Sequence, residues 1–555
     1  MILYNPTKMG LPKHTRRRDF LKTAALLSGA SLLPAVRGSS QATVSRIEVF
    51  PVQSLGAISR NVYGHFTEHI GGVIYDGVWV GENSKIPNTH GIRTALLDRL
   101  KEINAPIIRW PGGCFADSYD WKDGIGPKAQ RPARTNFWET DPDARRLGEK
   151  GLQIFDDNSF GTNEFVRFCR LSGAEPYIAA NLRSLPALDF DHWVEYCNSP
   201  AGSTAFAKLR AEAGFPEPFN VRYWGVGNES WGCGGNFRPE EYASEFRRFT
   251  TWVPEYGQDL QFIGSGPNNN DLDWTRGFFE ELLARRAYHP RQFTGWSVHH
   301  YSRTQGKRNA LSFSTDEYYE LLQDATFTER ILQDQWAVMG EYDPNHRIKL
   351  VVDEYGPWHR AGTEVDPTHI FGQQITMRDA IATALTLDIF NRHPEKVSLA
   401  ACAQLVNNLN ALFLAHEDKF IVTPNFYVFK MYAAHQDATA VAANFSAPGI
   451  AYDANGRKAS LWGLNGSASL KGKNLTLTVV NPQIGMPCET EIVLRNAQYA
   501  DAAATVLTNE KINAHNTFEQ PDAVAPRNST PRPSGNTLRF SFPPASVTEL
   551  QIRMA

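Results

Sequence analysis

The chain has 555 residues, enough for one large domain and a smaller companion. Hydrophobic residues make up 42% and charged residues 21%, which is typical of a soluble globular protein with a large core. The net charge of −3 gives no electrostatic reason to expect a nucleic-acid partner or binding to an anionic membrane.

The first residues predict export. Arg16-Arg17-Arg18-Asp19-Phe20-Leu21-Lys22 precedes a short apolar run from Thr23 to Val36, which is the order of a twin-arginine signal. The run is too short and too rich in Ala, Gly and Ser to span a membrane, and no cysteine follows closely enough for a lipid anchor. We therefore expect residues 1–42 to be cleaved and the protein to be periplasmic or secreted; a basic tail is the alternative.

The middle of the chain alternates short apolar runs with helical stretches, the pattern of parallel strands buried on both faces. The predicted strands are Asn61–His69, Pro106–Pro111, Pro176–Leu182, Arg222–Glu229, Gln261–Gly266, Gly295–Tyr301, Lys349–Glu354 and Leu399–Leu405. The helical stretches between them include Arg93–Ile103, Asn163–Leu171, Pro239–Thr251, Leu272–Arg286 and Thr376–Phe390. Eight such units predict an α/β fold, a (β/α)8 TIM barrel over residues 59–436.

After about Gln436 the helical periodicity ends, and short β-prone runs separated by Gly, Asn and Pro turns follow. These runs are Gly449–Tyr452, Ala459–Leu464, Asn474–Val480, Glu489–Leu494, Thr505–Leu507, Thr537–Phe542 and Val547–Ile552. They predict a C-terminal antiparallel β-sandwich domain over residues 437–555. Residues 43–58 precede the barrel in sequence and are expected to add one strand to the β-sandwich.

The six cysteines are widely scattered, at positions 114, 169, 197, 233, 402 and 488. Since no CxxC pair occurs, no metal site is expected. The adjacent pair His299-His300 is a weak metal signal, because neighbouring strand residues point in opposite directions. Cys114 and Cys233 both fall in predicted active-face loops, where a disulfide and two free thiols are equally acceptable.

Two glutamates end predicted strands at Gly-containing loops: Glu229 in Gly225-Val226-Gly227-Asn228-Glu229 and Glu354 in Val351-Val352-Asp353-Glu354-Tyr355. The carboxyl ends of parallel barrel strands meet on one face, so the two carboxylates can share one pocket. Cleavage of a glycosidic bond needs such a pair, one to protonate the leaving oxygen and one on the other side of the sugar carbon. A single strand-end glutamate is more often a solvated surface group.

Several ordered motifs carry a family resemblance. They are Phe66-Thr67-Glu68-His69, Arg109-Trp110-Pro111-Gly112-Gly113, Trp121-Lys122-Asp123-Gly124-Ile125-Gly126-Pro127, Trp224-Gly225-Val226-Gly227-Asn228-Glu229, Asp353-Glu354-Tyr355, Ala403-Gln404-Leu405-Val406-Asn407 and Tyr427-Val428-Phe429-Lys430-Met431-Tyr432. Together they resemble glycoside hydrolase family 51, the α-L-arabinofuranosidases of a large retaining clan with (β/α)8 barrels. The resemblance extends from about Ile47 to the C-terminus.

The resemblance implies that Glu229 is the general acid/base and Glu354 the nucleophile of a double displacement. Glu354 would attack the anomeric carbon while Glu229 protonates the leaving oxygen. Glu229 would then deprotonate the water that releases the sugar from the covalent intermediate.

Supporting roles follow from the same resemblance. Asn228 would hydrogen-bond the 2-hydroxyl of the sugar, although its amide also suits a strand-end turn. Tyr301 would hydrogen-bond the nucleophile and also line the substrate pocket, and His299 on the same strand face would line it too.

Three further residues match positions of the family. Glu68 and Gln404 would bind hydroxyls of the terminal arabinofuranose, and an ordinary rim salt bridge is the alternative for Glu68. Arg109 would lie under the nucleophile and favour its charged form, or would be an ion-pair partner inside the barrel. Trp121 and Trp231 are candidate stacking rings, for which core packing is equally acceptable.

Two departures limit the resemblance. The family commonly has Gly-Gly-Asn where this chain has Gly112-Gly113-Cys114, so Cys114 occupies a substrate-binding position. A thiol is a poor hydrogen-bond partner, and the sugar contact must weaken or come from another residue. The loop Ser230–Asn236 after the acid/base also differs, and these changes affect sugar preference rather than the bond-breaking residues.

The sequence thus predicts a retaining, exo-acting α-L-arabinofuranosidase that acts on plant arabinan or arabinoxylan poly- or oligosaccharides. An endo-β-glucanase or another retaining β-glycosidase of the clan is the first alternative, and a non-catalytic sugar-binding protein is a remote one. No cofactor is expected, because no nucleotide fingerprint or metal cluster competes. The resemblance makes a homo-oligomer plausible.

Overall fold

A computed structural model describes residues 45–136, 138, 155–284, 292–306, 309–367, 369–454 and 456–555. The predicted export signal, residues 1–42, lies outside these ranges. Among the helices within them, none is both long enough and apolar enough to cross a membrane.

Eight parallel strands close into a barrel in the spatial order β6-β7-β8-β9-β2-β3-β4-β5. We number strands from β1 (Ser45–Ala57), which belongs to another sheet. The barrel strands are β2 Gly64–Phe66, β3 Ile107–Trp110, β4 Glu175–Ala180, β5 Tyr223–Val226, β6 Gln261–Gly264, β7 Phe293–Ser302, β8 Lys349–Pro357 and β9 Val397–Ala403. Each overlaps a predicted strand, and the predicted (β/α)8 barrel is confirmed.

The described helices are α1 Thr94–Glu102, α2 Thr162–Ser172, α3 Ala187–Asn198, α4 Ala205–Glu212, α5 Pro239–Thr250, α6 Leu272–Leu283, α7 Thr315–Tyr342, α8 Met377–Arg392 and α9 Pro424–Tyr432. Helix α5 shows why these segments are helical. Pro239 occupies its first turn and Glu241 accepts a hydrogen bond from the backbone N–H of Arg238. Tyr242 and Phe246, four residues apart, are fully buried against the barrel.

Side chains from five strands fill the lower interior of the barrel. They form one buried cluster, which consists of Ile107, Tyr177, Ile263, Val351 and Leu399. Because this layer closes the barrel, side chains further along the strands gather at the carboxyl-terminal end. That end is where TIM barrels place their active sites.

The second domain is a nine-stranded sheet in the order β15-β14-β17-β12-β11-β10-β1-β13-β16. Its strands after the barrel are β10 Thr439–Ser446, β11 Asn465–Lys471, β12 Asn474–Asn481, β13 Cys488–Leu494, β14 Tyr499–Thr508, β15 Arg527–Ser529, β16 Thr537–Phe542 and β17 Ser546–Met554. The N-terminal β1 pairs antiparallel with β10 and parallel with β13. Leu477 of β12 and Ile492 of β13, on opposite sides of β1 in the sheet, share one core cluster, as in a β-sandwich.

One predicted feature of the second domain differs from the structure. The first two β-prone runs form a separate hairpin, Ile450–Ala454 with Arg457–Leu461, and do not join the nine-stranded sheet. The hairpin instead packs Tyr452 against Tyr319 of α7, with ring centroids 5.7 Å apart. Short apolar runs alone do not specify a strand's partner, because that partner is chosen by tertiary packing.

Candidate active site

A cavity of about 600 Å³ opens at the carboxyl-terminal end of the barrel strands. Both glutamates singled out in the sequence line it, together with Glu68, Cys114, His299, Tyr301 and Gln404. The strands therefore bring residues from six separate parts of the chain to one place. This volume suits a small ligand such as one or a few sugar rings.

Glu229 lies three residues beyond the end of β5, in a backbone conformation with φ of +39°. Such a φ is unusual for a residue with a side chain, and it aims the carboxylate away from the strand axis. Its side chain is 19% exposed and accepts a hydrogen bond from Nδ1 of His299 at 2.9 Å. The carboxylate is thus held on one side and open to the cavity on the other.

Glu354 lies within β8, and each of its oxygens accepts a hydrogen bond from a side chain. Arg109 donates through Nη1 to Oε1 at 2.7 Å, and the Tyr301 hydroxyl donates to Oε2 at 2.7 Å. These two donors favour negative charge on the carboxylate and fix its orientation. Gly113 permits this approach, because a Cβ there would lie 2.5 Å from Oε1 of Glu354.

The two carboxylates face each other across the cavity floor. An oxygen of Glu229, a ring nitrogen of His299 and an oxygen of Glu354 all lie within 4.8 Å of one another. Retaining glycosidases have carboxyl groups about 5–5.5 Å apart, whereas inverting enzymes need a wider gap for water. The separation leaves room for a sugar carbon to be attacked directly by one carboxylate.

His299 lies between the two carboxylates. Burial lowers the pKa of its imidazole, but the charge of Glu354 and hydrogen bonds to Asp353 and Glu229 outweigh burial and raise it to about 10. Its Nε2 lies 3.2 Å from Oδ1 of Asp353. The ring is therefore a buried cation at neutral pH and partly neutralises the acidic cluster.

Asp353 supports this centre and was not singled out in the sequence analysis. It accepts hydrogen bonds from Ser297 at 2.5 Å and Tyr177 at 2.8 Å, and Nε of Arg109 lies 3.4 Å from Oδ2. Burial raises the pKa of Asp353, but Arg109 and His299 hold it well below its usual range. Asp353 directly precedes Glu354, and this position in the motif was the available signal.

Glu68 and Gln404 form a second polar pair in the cavity. Oε1 of Glu68 accepts hydrogen bonds from the backbone N–H groups of Gly113 and Phe115. Its Oε2 accepts a hydrogen bond from Nε2 of Gln404 at 2.8 Å. Burial, and then the charge of Glu354, raise the pKa of Glu68 to about 7. The buried Oε1 of Gln404 has no partner among the described residues, so it is available to a ligand hydroxyl.

Asn228 lies behind the cavity wall and is 2% exposed. Its Oδ1 accepts a hydrogen bond from Nη2 of Arg109 at 2.6 Å, and its backbone N–H donates to Asp117. Asp117 was also missed in the sequence, and burial raises its pKa to about 7. The predicted contact of Asn228 with a sugar hydroxyl stays a prediction.

Cys114 and Cys233 are joined by a disulfide. The structure therefore selects one of the two alternatives left open by the sequence, and Cys114 offers no thiol to a substrate. Both sulfurs contact Oε2 of Glu229, at 3.8 and 3.6 Å. Since neither sulfur carries a hydrogen, these are packing contacts, and the bridge forms an apolar wall beside the carboxylate.

The two candidate stacking tryptophans have different positions. Trp121 is buried and stacks on Trp193 at 5.9 Å, so it packs in the core. Trp231 lines the cavity. An aromatic wall that the sequence did not reveal also lines the cavity, because loops distant in sequence converge there; it consists of Trp138, Trp358 and Phe371.

Two family models match the chain. A model described as the α-L-arabinofuranosidase 1 domain matches residues 99–319, and one described as the α-L-arabinofuranosidase C-terminal domain matches residues 353–546. An intracellular exo-α-L-arabinofuranosidase of Bacteroides ovatus is 35% identical over 96% of this chain and 100% of its own length. A probable α-L-arabinofuranosidase C of Aspergillus niger is 30% identical over 67% of this chain and 70% of its own length.

Two solved structures of arabinofuranosidases are also similar to this chain. The family 51 arabinofuranosidase of Xanthomonas axonopodis pv. citri superposes with a TM-score of 0.84 at 33% identity, covering 92% of this chain and all of that one. The α-L-arabinofuranosidase of Thermotoga maritima, solved as an arabinose complex, has a TM-score of 0.78 at 29% identity, with 92% and 100% coverage.

The Bacteroides relative also bears on location. It is an intracellular enzyme that matches 96% of this chain, which contradicts the predicted export to the periplasm or medium. That prediction is therefore wrong on this comparison. It depended on a short arginine pair and an Ala-rich apolar run, a pattern that arises from composition alone more easily than an ordered active-site motif does.

Proposed function

Because the chain belongs to glycoside hydrolase family 51, the α-L-arabinofuranosidases, we propose that Glu229 and Glu354 carry out its exo-acting hydrolysis with retention of configuration. The activity removes a terminal α-L-arabinofuranosyl residue from an arabinofuranoside. The observation that carries the assignment of roles is the approach of the two carboxylates to within 4.8 Å across the cavity floor.

Glu354 is the nucleophile in this proposal. Arg109 and Tyr301 hold one oxygen each, so the carboxylate is ionised and oriented before the substrate arrives. Its attack on the anomeric carbon forms a glycosyl ester and breaks the bond to the leaving oxygen. As the ester forms, the negative charge on Glu354 is lost.

Glu229 is the acid and then the base. Its exposed edge delivers a proton to the leaving oxygen in the first step. In the second step it takes a proton from water, which attacks the ester and releases the sugar with its original configuration. His299 donates to Glu229 throughout and compensates the changing charge of the pair.

The proposed natural substrates are arabinose-branched oligo- or polysaccharides of the arabinan and arabinoxylan type. Glu68 and Gln404 offer hydrogen-bonding groups deep in the cavity to the hydroxyls of the terminal sugar. The endo-β-glucanase alternative loses support, since the relatives that match most of the chain are arabinofuranosidases. The non-catalytic alternative loses support because both carboxylates are present and oriented.

Glu354→Ala and Glu229→Ala test the assignment on an aryl α-L-arabinofuranoside. We expect Glu354→Ala to be essentially inactive and Glu229→Ala to lose about 10²–10⁴-fold in turnover on substrates with a poor leaving group. Azide should restore Glu229→Ala on an activated aryl substrate, because the small anion attacks the ester without a base. The expected product is the arabinosyl azide of retained configuration.

Glu489→Ala, an exposed substitution in the β-sandwich, is the matched control and should retain wild-type rates. The roles are wrong if both variants keep wild-type turnover. Proton NMR of the first product provides a separate check, because early inversion at the anomeric carbon contradicts an ester on Glu354. The homo-oligomer stays a prediction, to be measured by light scattering after size-exclusion chromatography.

A further inference from the structure

Three potential metal ligands converge outside the catalytic cluster. Asp76 follows β2, His369 lies in the long loop after β8, and His416 ends the first strand of a hairpin, Phe413–His416 with Lys419–Val422. One ligand atom from each lies within 4.8 Å of the other two. They line a second cavity of about 310 Å³.

The distances suit a shared cation better than hydrogen bonds. Oδ2 of Asp76 lies 3.6 Å from Nε2 of His369 and 3.4 Å from Nδ1 of His416. A nitrogen–oxygen hydrogen bond spans about 2.7–3.2 Å, so both distances are long. Ligands around a tetrahedral zinc ion, with bonds of about 2.0–2.1 Å, lie about 3.3 Å from one another.

Two of the three groups have a further polar neighbour. Nε2 of His416, the nitrogen facing away from Asp76, lies 3.7 Å from Oδ2 of Asp366. The other oxygen of Asp76, Oδ1, accepts the backbone N–H of Glu417 at 2.9 Å. Metal-binding histidines usually direct their second nitrogen at a carboxylate or carbonyl. Nε2 of His416 faces a carboxylate in this way, beyond hydrogen-bond distance, whereas the buried Nδ1 of His369 has no hydrogen-bond partner among the described residues.

The backbone around the cluster is unusual. Asp76, Phe371 and Glu417 have φ of +71°, +56° and +53°, in the left-handed region that side chains disfavour. Gly72 admits the imidazole, because a Cβ there would lie 2.4 Å from Nε2 of His369. Strained backbone persists where surrounding interactions hold it, and it concentrates at ligand sites.

We propose that Oδ2 of Asp76, Nε2 of His369 and Nδ1 of His416 bind a divalent transition-metal ion of the zinc type. Two imidazoles and one carboxylate are a set that zinc accepts, whereas calcium and magnesium prefer oxygen ligands alone. Three protein ligands leave one tetrahedral position for water. The sequence analysis expected no metal, because the three residues come from separate loops without a spacing motif.

The ion has a structural role. It ties the loop after β2, the loop after β8 and the hairpin to one another. Phe371, two residues beyond His369, lines the catalytic cavity and contacts Trp358 with ring centroids 5.3 Å apart. Metal binding therefore holds the aromatic wall of the substrate cavity in place.

The alternative is an ion-pair cluster without metal, in which the histidines are protonated beside Asp76 and Asp366. The two arrangements respond differently to added zinc. A metal site gains stability from zinc at fixed pH, and the gain grows with the ratio of the free zinc concentration to Kd. An ion-pair cluster gains none.

The test uses full-length protein without a histidine tag, stripped with a chelator and titrated with zinc sulfate by calorimetry and thermal unfolding. Wild type should bind one zinc at this site and unfold at a higher temperature, and calcium or magnesium should not replace zinc. His416→Ala and Asp76→Asn should lose both effects. His515→Ala, a histidine of the β-sandwich, is the matched control and should behave like wild type.

Glu229→Gln separates this site from the catalytic cluster, whose three groups also lie close enough to hold a cation. Zinc binding should persist in Glu229→Gln and disappear in His416→Ala. Zinc should also slow hydrogen exchange in the peptide around His369 and Phe371. The proposal is overturned if stripped wild type gains no stability from zinc, or if His416→Ala binds zinc as tightly as wild type.

Discussion

The charge state of His299 is the residue-scale feature that most affects the chemistry. Its pKa of about 10 means that an imidazolium lies between two catalytic carboxylates at neutral pH. Without this imidazolium, the carboxylates of Glu229, Asp353 and Glu354 would lie close together. Arg109 would then be the one buried cation in direct contact with Glu354 among the described residues. His299 thus allows three acidic groups to share a small volume.

His299→Asn should reveal this charge in the pH dependence of stability. The folded pKa of about 10 exceeds the ordinary 6.5, so the stabilisation is complete below pH 6.5 and is lost as pH rises through 10. Wild type should therefore lose more stability than His299→Asn between pH 6.5 and 10. Thermal unfolding midpoints across this window measure the difference.

Activity provides a second readout for the same substitution. Loss of a charge-assisted hydrogen bond of about 1.5–3 kcal/mol should lower kcat/KM by at least about tenfold. His515→Asn serves as the control for a histidine that does not line the cavity. Parallel pH–stability curves for wild type and His299→Asn would show that the imidazole is neutral.

Local sequence was sufficient to place both glutamates near the carboxyl ends of strands. Glu229 follows the apolar run of β5, and Glu354 lies in the last half of β8, so their position on the active face could be inferred before any contact was known. The charge of His299 and the contacts of Asp117 could not be inferred in this way. They depend on which loops approach each strand end, and no local pattern records that.

At the scale of elements, the disulfide joins two loops of the active face. Cys114 follows β3 and Cys233 follows β5, with a separation of 119 residues in sequence. Both sulfurs contact Glu229, so the bridge holds the loop that carries the acid/base. A covalent link here restrains the cavity wall more than any single hydrogen bond does.

Cys233→Ser should weaken both stability and catalysis. Loss of the bridge should reduce the free energy of unfolding by about 2–4 kcal/mol and should lower kcat/KM by releasing the loop around Glu229. Thermal unfolding and steady-state kinetics with and without a reductant provide the measurement. Wild type with reductant should resemble Cys233→Ser.

Cys488→Ser is the control, because that thiol is free and lies in the β-sandwich. Mass spectrometry after alkylation confirms whether the bridge is open in each sample. An unchanged rate and midpoint in fully reduced protein would show that the bridge is dispensable.

The elements were predictable to different degrees. All eight barrel strands were found because buried parallel strands are short and uniformly apolar. Helix α3 (Ala187–Asn198) was not singled out in the sequence, although its buried residues Phe190, Trp193, Val194 and Cys197 recur at helical spacing. The hairpin Ile450–Ala454 with Arg457–Leu461 was assigned to the wrong sheet because strand pairing is a tertiary property.

At the scale of the molecule, a buried carboxylate connects the barrel to the sandwich. Asp388 of α8 accepts hydrogen bonds from Ser467 and Thr478 of the sandwich at 2.6 Å each, and from Tyr432 at 2.9 Å. Burial raises its pKa to about 6. The two domains thus share a polar network as well as an apolar contact, since Val480 and Val547 of the sandwich belong to the barrel's core cluster.

Asp388→Ala should destabilise both domains together. It leaves three buried hydroxyl groups without their acceptor, at a cost of about 1–3 kcal/mol for each group left unpaired. Differential scanning calorimetry should show a lower midpoint, with barrel and sandwich still unfolding in one transition. Asp388→Asn retains an acceptor and should lose less.

Asp501→Ala, an exposed change on β14, is the control. A midpoint for Asp388→Ala equal to that of the control would contradict a coupling role.

The position of β1 has a consequence for how the molecule is made. Its neighbours in the sheet, β10 and β13, lie beyond the whole barrel in sequence. As the chain leaves the ribosome, the strand edges of β1 stay unsatisfied until the last domain is synthesised. The strand β1 must therefore stay accessible while the barrel folds. Its unpaired edges are a target for chaperones that cover exposed strand edges. Because contacts between residues far apart in sequence form slowly, we expect the pairing of β1 with β10 and β13 to be a late step of folding.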